Sequence, residues 1–478
     1  MSASVRTGLT EFAAPFAEDQ LLDTLDTAVR SDAADEFEIA VLARAGEYTR
    51  FAGEVIHQPQ DITEVQYLVR AVVDGHAART ATTIAGRLPD IVRLAADAAR
   101  ERARGAAAPG NTELGGTDQP DCTVPRELLW YDDTAAFDVS ARVQAARSAM
   151  QLAQSFGDSA AGMFGRAVTQ QAVATSRGLR RATAATEASG SLTASAADGT
   201  SHWTDLARSA DRLRLAESVH QTVTQAVAGR NRQVLPPGTY PVVLGGEAVG
   251  DLLQFLPELG FAGDLAAAGI GIVATRAGEP LVAEIVDVAD DATVDLGLPI
   301  GFDIEGTAKL RVPFFAGGRV GEPFTDLAVA GAMGRRSTGH AHIAREEVPA
   351  PSAANIVMTP GAFTEAELIA SVERGVYIQR FWYTRLVDRT AGTITGVTRD
   401  ACFVIENGRL TTPLQGMRFT QSVLACLAGV EAIGCEVRSQ PVMNVWNGAT
   451  SAPPVRAAAF RFGAAPLDDD APKIGGDR

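Results

Sequence analysis

The chain has 478 residues, too many for one hydrophobic core, so two domains of roughly 200 residues each are expected. Its 58 acidic residues outnumber 42 basic ones, and a net charge of -16 with a pI near 4.9 repels a phosphate backbone, which argues against nucleic acid as a partner. With 46% hydrophobic and 21% charged residues the composition is that of a globular protein. No stretch approaches the roughly 18 uninterrupted apolar residues of a membrane span, and the first eight residues lack the apolar centre of a signal peptide, so a cytoplasmic protein with no membrane partner is expected.

Residues 1–34 read as a leader with a helix, and 35–235 as an N-terminal α+β domain. Glu36 to Ala45 alternates as a strand, and a turn at Gly46 is predicted before Tyr48 to Ala52. Glu64 to Val73 followed by Asp74-Gly75 reads as a hairpin. Asp90 to Arg104 has apolar residues at helical spacing with basic residues at its end, where they complement the helix dipole. The Ala/Pro/Gly-rich stretch 105–119 is a linker. Asp138 to Phe156 is a second helix, Gly162 to Thr200 reads as short strands and turns, and Asp205 to Ala228 as a further helix.

Pro236-Pro237-Gly238 marks a boundary, because two prolines cannot continue a helix. The second domain, 236–466, is β-dominated. Strands are predicted at 240–244, 280–288, 308–315, 355–358, 376–383 and 401–405, and helices at 247–256, stopped by Pro257, and 365–373. Residues 467–478 form a tail. Cys122, Cys402, Cys426 and Cys435 make no close pair and no Cys-x-x-Cys, so reduced thiols are expected rather than a disulfide framework or zinc ribbon.

Several segments, taken in order, resemble the TldD/PmbA family, and within it the PmbA/TldE branch. They include Arg50-Phe51-Ala52, Val69 to Gly75, Thr175 to Gly178 and Val234 to Gly238, then Gly246 to Asp251, Phe302 to Gly306 and Ser337 to Ala341. Glu373 to Ile378 with Phe381-Trp382, and Val404 to Gly408, complete the series. The resemblance implies an α+β fold whose C-terminal domain is of the TldD/PmbA type. In the TldD branch a helix after the first strand of that domain carries His-Glu-x-x-x-His, and a cysteine near the C-terminus joins it around zinc. About three protein ligands and one open position are what acidifies a zinc-bound water for attack on a carbonyl. Here the histidine positions hold Gly246 and Asp251, with Glu247 left at the position of the general base. Cys435 falls near the cysteine region without its flanking pattern. No metal or cofactor is therefore expected on this chain, and zinc is expected on a TldD-like partner.

Other constellations carry less. His340-Ala341-His342 has the spacing of a metal pair on a strand, but its family counterpart is a loop, which favours a structural or substrate-contacting role. His57, His76, His202 and His220 are scattered without ligand spacing. The acidic run through Asp287, Asp290, Asp291, Asp295, Asp303 and Glu305 lacks the calcium-loop spacing and reads as a solvated turn-rich segment. Asp303, Glu305 and His340 stand apart, because the resemblance places them along a substrate cleft. No Gly-x-Ser-x-Gly elbow, Gly-Lys-Ser/Thr loop or dinucleotide fingerprint is present.

The resemblance thus implies a metal-free, TldE-like subunit of a two-component peptidase, its TldD-like partner carrying zinc and its substrate an extended, unfolded or precursor peptide. The alternatives are a stand-alone homodimeric peptide-binding or escort protein, and a hydrolase using Glu247, Asp251 and His340 without zinc.

Overall fold

A computed structural model of the chain describes residues 12–105, 113–117, 124–343, 349–442 and 448–463. The tail at 467–478, Cys122 and most of the expected linker lie outside these residues. Within the linker, Gly116 makes an isolated bridge to Gly178, and the Glu113 carbonyl accepts a bond from Arg70.

The first half is one antiparallel sheet of six long strands under a layer of helices. The strands are β1 (Glu36–Gly53), β2 (Val55–Val73), β3 (His76–Thr82), β4 (Ser159–Thr175), β5 (Arg180–Ala196) and β6 (Gly199–Ala207), in the order β3-β2-β1-β4-β5-β6. The helices are α1 (Glu18–Val29), α2 (Leu88–Arg104), the short α3 (Asp132–Ala136), α4 (Val139–Ser155) and α5 (Leu215–Ala228). Phe37, Ile39, Val41 and Ala43 of β1 point to the face that α1 and α2 cover. Ala40 and Leu42 point to the opposite face and bury against Phe302, Ile304, Ala341 and Ile343 of the second half. Both faces of β1 are thus apolar from Ile39 to Ala43, so this part of the strand is continuously hydrophobic rather than alternating as expected. Towards the other end, Ala146, Ala149 and Ala153 of α4 and Val223 of α5 pack on Phe51, Phe164, Leu192 and Trp203.

Three predicted features differ. The turn at Gly46 is continuous strand, paired with Ile62 on one side and Ala167 on the other. A Cβ there would lie 2.5 Å from the hydroxyl of Tyr48, whose ring would have to move to admit it. The Ala/Thr/Ser-rich stretch 162–200 forms two strands of 17 residues each, β4 and β5, rather than short pieces. Small residues suit strands whose faces are covered on both sides by helices and the second half. The helix expected from Asp205 starts only at Leu215, because Gly199–Ala207 completes the sheet. The Asp74-Gly75 hairpin is present, with both residues at positive φ (48° and 72°).

The second half begins with β7 (Gly238–Leu244) and α6 (Gly246–Leu253). It continues with β8 (Val288–Asp290), β9 (Val312–Ala316), β10 (Arg319–Val320), the β11 (Ala341–Ile343) and β12 (Pro349–Pro351) pair, and β13 (Asn355–Met358). Then follow β14 (Arg374–Asp388), β15 (Thr393–Glu406), β16 (Arg409–Pro413), β17 (Arg418–Ser422), β18 (Val430–Ile433), β19 (Arg438–Pro441), β20 (Ala449–Ala452) and β21 (Val455–Phe462). Two sheets result. One has the order β10-β9-β8-β13-β20-β19; in the other, β14-β7-β21-β17-β15 closes on itself because β15 also pairs with β14. Their shared core runs from Val242 and Leu244 through Phe261, Phe314 and Phe324 to Phe381, Phe419 and Phe460. The predicted strand 280–288 is irregular up to Val288, and the helix after β7 ends at Leu253, Pro257 opening a separate 3-10 turn.

Candidate functional site

Strand β7 runs parallel to β14, with Val242, Val243 and Leu244 opposite Val376, Tyr377 and Ile378, and this pairing delivers the start of α6 into the heart of the second half. The Gly245 N–H donates to the Ile378 carbonyl at 2.9 Å, and the helix begins at the next residue. A Cβ at Gly246 would lie 2.6 Å from the Ala452 carbonyl oxygen and 3.1 Å from Cβ of Arg438. One at Gly250 would lie 2.9 Å from Nε2 of Gln440. The helix therefore lies so close to β19 and β20 that the first ligand position of the zinc motif has no room for any side chain.

Glu247 points the other way, out of the second half and into the edge strand of the first. Its Oε2 lies 2.8 Å from Nδ1 of His202, and its Oε1 accepts the Thr204 N–H at 3.0 Å. Neighbouring polar groups do the same work. Gln379 Oε1 accepts the His202 N–H at 3.0 Å, and its Nε2 donates to Gln225 and Ser201 at 2.9 and 3.1 Å. Asp205 accepts from the Ser439 N–H at 3.0 Å and from Arg438 at 3.3 Å. Burial pushes the Asp205 carboxyl up to about 6 against the pull of Arg438. Every one of these groups joins β6 to the second half.

Asp251, at the second ligand position, is half-buried and accepts from the Phe381 N–H and from Gln440, both at 3.2 Å. Burial, and then the neighbouring charge of Glu247, push its carboxyl up to about 7. Cys435 is exposed in the loop after β18. These residues do not fit a catalytic zinc ion: one position offers no donor, and both carboxylates already accept bonds from the protein. Among the described residues, no group of three or more His, Cys, Asp or Glu is arranged to hold a metal.

Asp303, Glu305 and His340 line no open cleft in the single chain; they are 0%, 1% and 0% exposed. Asp303 accepts the N–H groups of Glu305, Thr307 and Ala341 at 2.8 to 3.0 Å, and burial pushes its carboxyl up to about 7. Glu305 joins the halves. Its Oε1 lies 3.1 Å from Arg79 and 3.6 Å from Arg70, which also faces Glu38 at 3.8 Å, while its Oε2 accepts the Leu327 N–H at 2.8 Å. His340 stacks on Phe324 with centroids 5.4 Å apart, and its Nε2 lies 3.5 Å from Asp290. Asp290 in turn holds Lys309 at 3.1 Å, and Lys309 lies 3.2 Å from His342. Both imidazoles sit below their ordinary range, first through burial and then through the Lys309 ammonium. The acidic run is accordingly not a solvated segment: Asp290, Asp303 and Glu305 are interior groups.

His202, Asp205, Gln379 and Arg438 are the members of this region that sequence reasoning missed. His202 has no ligand spacing in the sequence; its ring is hydrogen-bonded to a carboxylate 45 residues away.

Residues 237–464 match the family model described as PmbA/TldA metallopeptidase C-terminal domain. The chain is 27% identical over 241 residues to a metalloprotease TldD homolog of Buchnera aphidicola subsp. Acyrthosiphon pisum, covering 50% of this chain and 49% of that protein. It is 29% identical over 208 residues to the corresponding homolog of Haemophilus influenzae, covering 43% and 42%. The chain thus spans about half the length of the curated relatives it matches. Its fold is similar to that of TldE from Thermococcus kodakarensis, with a TM-score of 0.79 at 17% identity over 92% of this chain and 99% of that one. Order of motifs, architecture and the family match agree, and residues 237–464 form a C-terminal domain of the TldD/PmbA type.

Proposed function

We propose that this chain is the TldE-type subunit of a heteromeric peptidase, bearing no catalytic metal, whose TldD-like partner supplies zinc and whose substrate is an unfolded or precursor peptide held in extended form. The observation that carries this reading is the use of Glu247. A general base in a zinc peptidase has to face a metal-bound water. Here the carboxylate is engaged by His202 and the Thr204 N–H, and Gly246 leaves no space for an imidazole. A sequence that keeps the scaffold while spending the base on holding its two halves together is suited to a role beside a catalytic subunit.

The test is co-expression with a TldD-like protein from the same genome. The expected outcome is a stable complex with peptidase activity that neither chain has alone, and zinc in proportion to the TldD-like chain only. One zinc per chain in this protein purified alone, or full activity of the TldD-like protein without it, overturns the reading.

A further inference from the structure

The second half carries an outward sheet face whose chemistry contrasts with the rest of this acidic molecule. Three antiparallel strands set it out in register: Trp382 of β14 lies opposite Val397 of β15, which lies opposite Arg418 of β17. In the next row Arg380 lies opposite Arg399. Residues directly opposite one another share a face, as do residues two apart along a strand. The intervening Phe381 and Phe419 point inward to the core, so Arg380, Trp382, Val397, Arg399 and Arg418 point out together. Trp382 is 42% exposed and Tyr383 70%.

Three arginines of the ribbon are stacked on its aromatic rings. The guanidinium carbon of Arg399 lies 4.6 Å from the Trp382 ring centroid, that of Arg380 5.2 Å from the same ring, and that of Arg385 5.7 Å from the ring of Tyr383. Stacking holds a guanidinium by its flat face and leaves the N–H fork at its edge to meet a carboxylate. Acidic groups of the same ribbon are already partnered: buried Asp400 pairs with Arg380 of this face, Asp388 accepts the N–H groups of Thr390 and Ala391, and Glu406 accepts from the Thr411 hydroxyl. Tyr383 has a φ of 54°, rare for an aromatic residue, at the point where the β14–β15 register shifts between Trp382 and Arg385. A backbone held in this conformation to present an exposed ring belongs to the kind of strain that accompanies recognition sites.

Exposed Trp, Tyr and Arg together are the composition of interaction hot spots. We propose that this face recognises a carboxylate-rich, extended peptide segment, with Trp382 and Tyr383 supplying contact area and Arg385, Arg399 and Arg418 supplying charge. The proposal rests on the peptide-handling reading above and names the substrate chemistry it favours. Charge decides the occupant. A short acidic segment needs only the local field of this patch, since fields are screened beyond roughly 8–10 Å at physiological salt. A long nucleic acid would run across a surface whose net charge is -16. Three strands about 4.8 Å apart give the patch a width of about 10 Å, and alternate side chains of an extended peptide repeat at about 7 Å, so two carboxylates on one side of a peptide reach two arginines.

The test is fluorescence polarisation with the full chain, using a fluorescein-labelled decapeptide of alternating Glu and Ala, its Lys-for-Glu counterpart, and an oligothymidylate of ten nucleotides. The acidic peptide is expected to bind and the basic one not. Its affinity should fall at least tenfold between 50 and 500 mM salt, and at least tenfold again in the Arg385→Ala/Arg399→Ala variant and in Trp382→Ala. All three side chains are exposed, and circular dichroism verifies that the variants fold. Complex formation with the TldD-like protein is measured on the same variants and is expected to be unchanged. Equal affinity in wild type and variants, equal binding of the basic peptide, or preference for the oligonucleotide overturns the proposal. Loss of complex formation with peptide binding intact also overturns it, and would mark the face as the subunit interface. If instead the co-expression test fails while acidic-peptide binding behaves as expected, the heteromeric reading falls and this surface stands.

Discussion

Glu247 and His202 lie 2.8 Å apart, carboxylate oxygen to Nδ1, one on the helix that opens the second half and the other on the last strand of the first. This pairing predicts the behaviour of Glu247→Ala. Removing the carboxylate strands His202 and the Thr204 N–H, and the loss of two bonds to a charged acceptor costs about 2–4 kcal/mol. Denaturant unfolding of the variant measures that loss. Peptidase activity of the proposed complex with a TldD-like chain, assayed well below the unfolding transition, is expected to stay within about threefold of wild type, whereas loss of a general base lowers turnover by roughly 100-fold or more.

Gly246→His returns the missing imidazole to its position in the motif, and the prediction is that it does not return the metal. The new Cβ meets the Ala452 carbonyl at 2.6 Å, a backbone atom that cannot swing aside. Overpacking of this kind costs about 1–3 kcal/mol or more. Metal analysis of Gly246→His/Asp251→His is expected to find zinc well below one per chain, with a lowered melting temperature. Stoichiometric zinc in a stable variant would contradict the geometry.

Asp251 gives a pH signature. Its carboxyl is pushed up to about 7 in the folded chain from an ordinary 3.8, so the folded state holds its proton more tightly than the unfolded state. The associated stability is fully present below about pH 4 and is lost as pH rises through about 7. Asp251→Asn removes this dependence. Its stability relative to wild type should therefore improve between pH 5 and pH 8, by on the order of 1–2 kcal/mol after allowance for the half-exposed position. Parallel melting curves at the two values check the sign.

Glu305→Ala removes the carboxylate that Arg70 and Arg79 share across the two halves. Arg70 is 3% exposed and would keep Glu38, at 3.8 Å, as a carboxylate neighbour and the Glu113 carbonyl as an acceptor. Breaking a buried pair by deleting one partner costs about 3–5 kcal/mol. The expected result is a large stability loss. Limited proteolysis between the halves should accelerate, while acidic-peptide affinity, measured on the fraction still folded, is unchanged.

Much of this architecture was legible in the sequence because local signals agreed with the final packing. Asp74-Gly75 and the amphipathic run 90–104 each carry their meaning within a few residues. The carboxylates were not legible in that way. Glu305 reads as a cleft residue until Arg79, 226 positions earlier, is brought to 3.1 Å. His202 looks idle until α6 arrives beside it. The Gly46 error has a similar origin: glycine usually signals a turn, but here a ring two residues on occupies the space of its Cβ. Spacing along the chain reports which residues share an element, and cannot report which distant charge neutralises them.

The position of β6 at the edge of its sheet has a consequence for how the protein fails. Its outer side is capped by Glu247, Gln379 and the start of β19, which occupy the Thr204 and His202 N–H groups and the Asp205 carboxylate. An uncovered strand of this kind templates addition of further strands from other molecules. Loosening the contact between the halves, by heat or by substitution at Glu247 or Asp205, would therefore release a sticky ribbon before the sheet itself melts. Turbidity should then rise ahead of the loss of secondary structure, and faster at higher protein concentration.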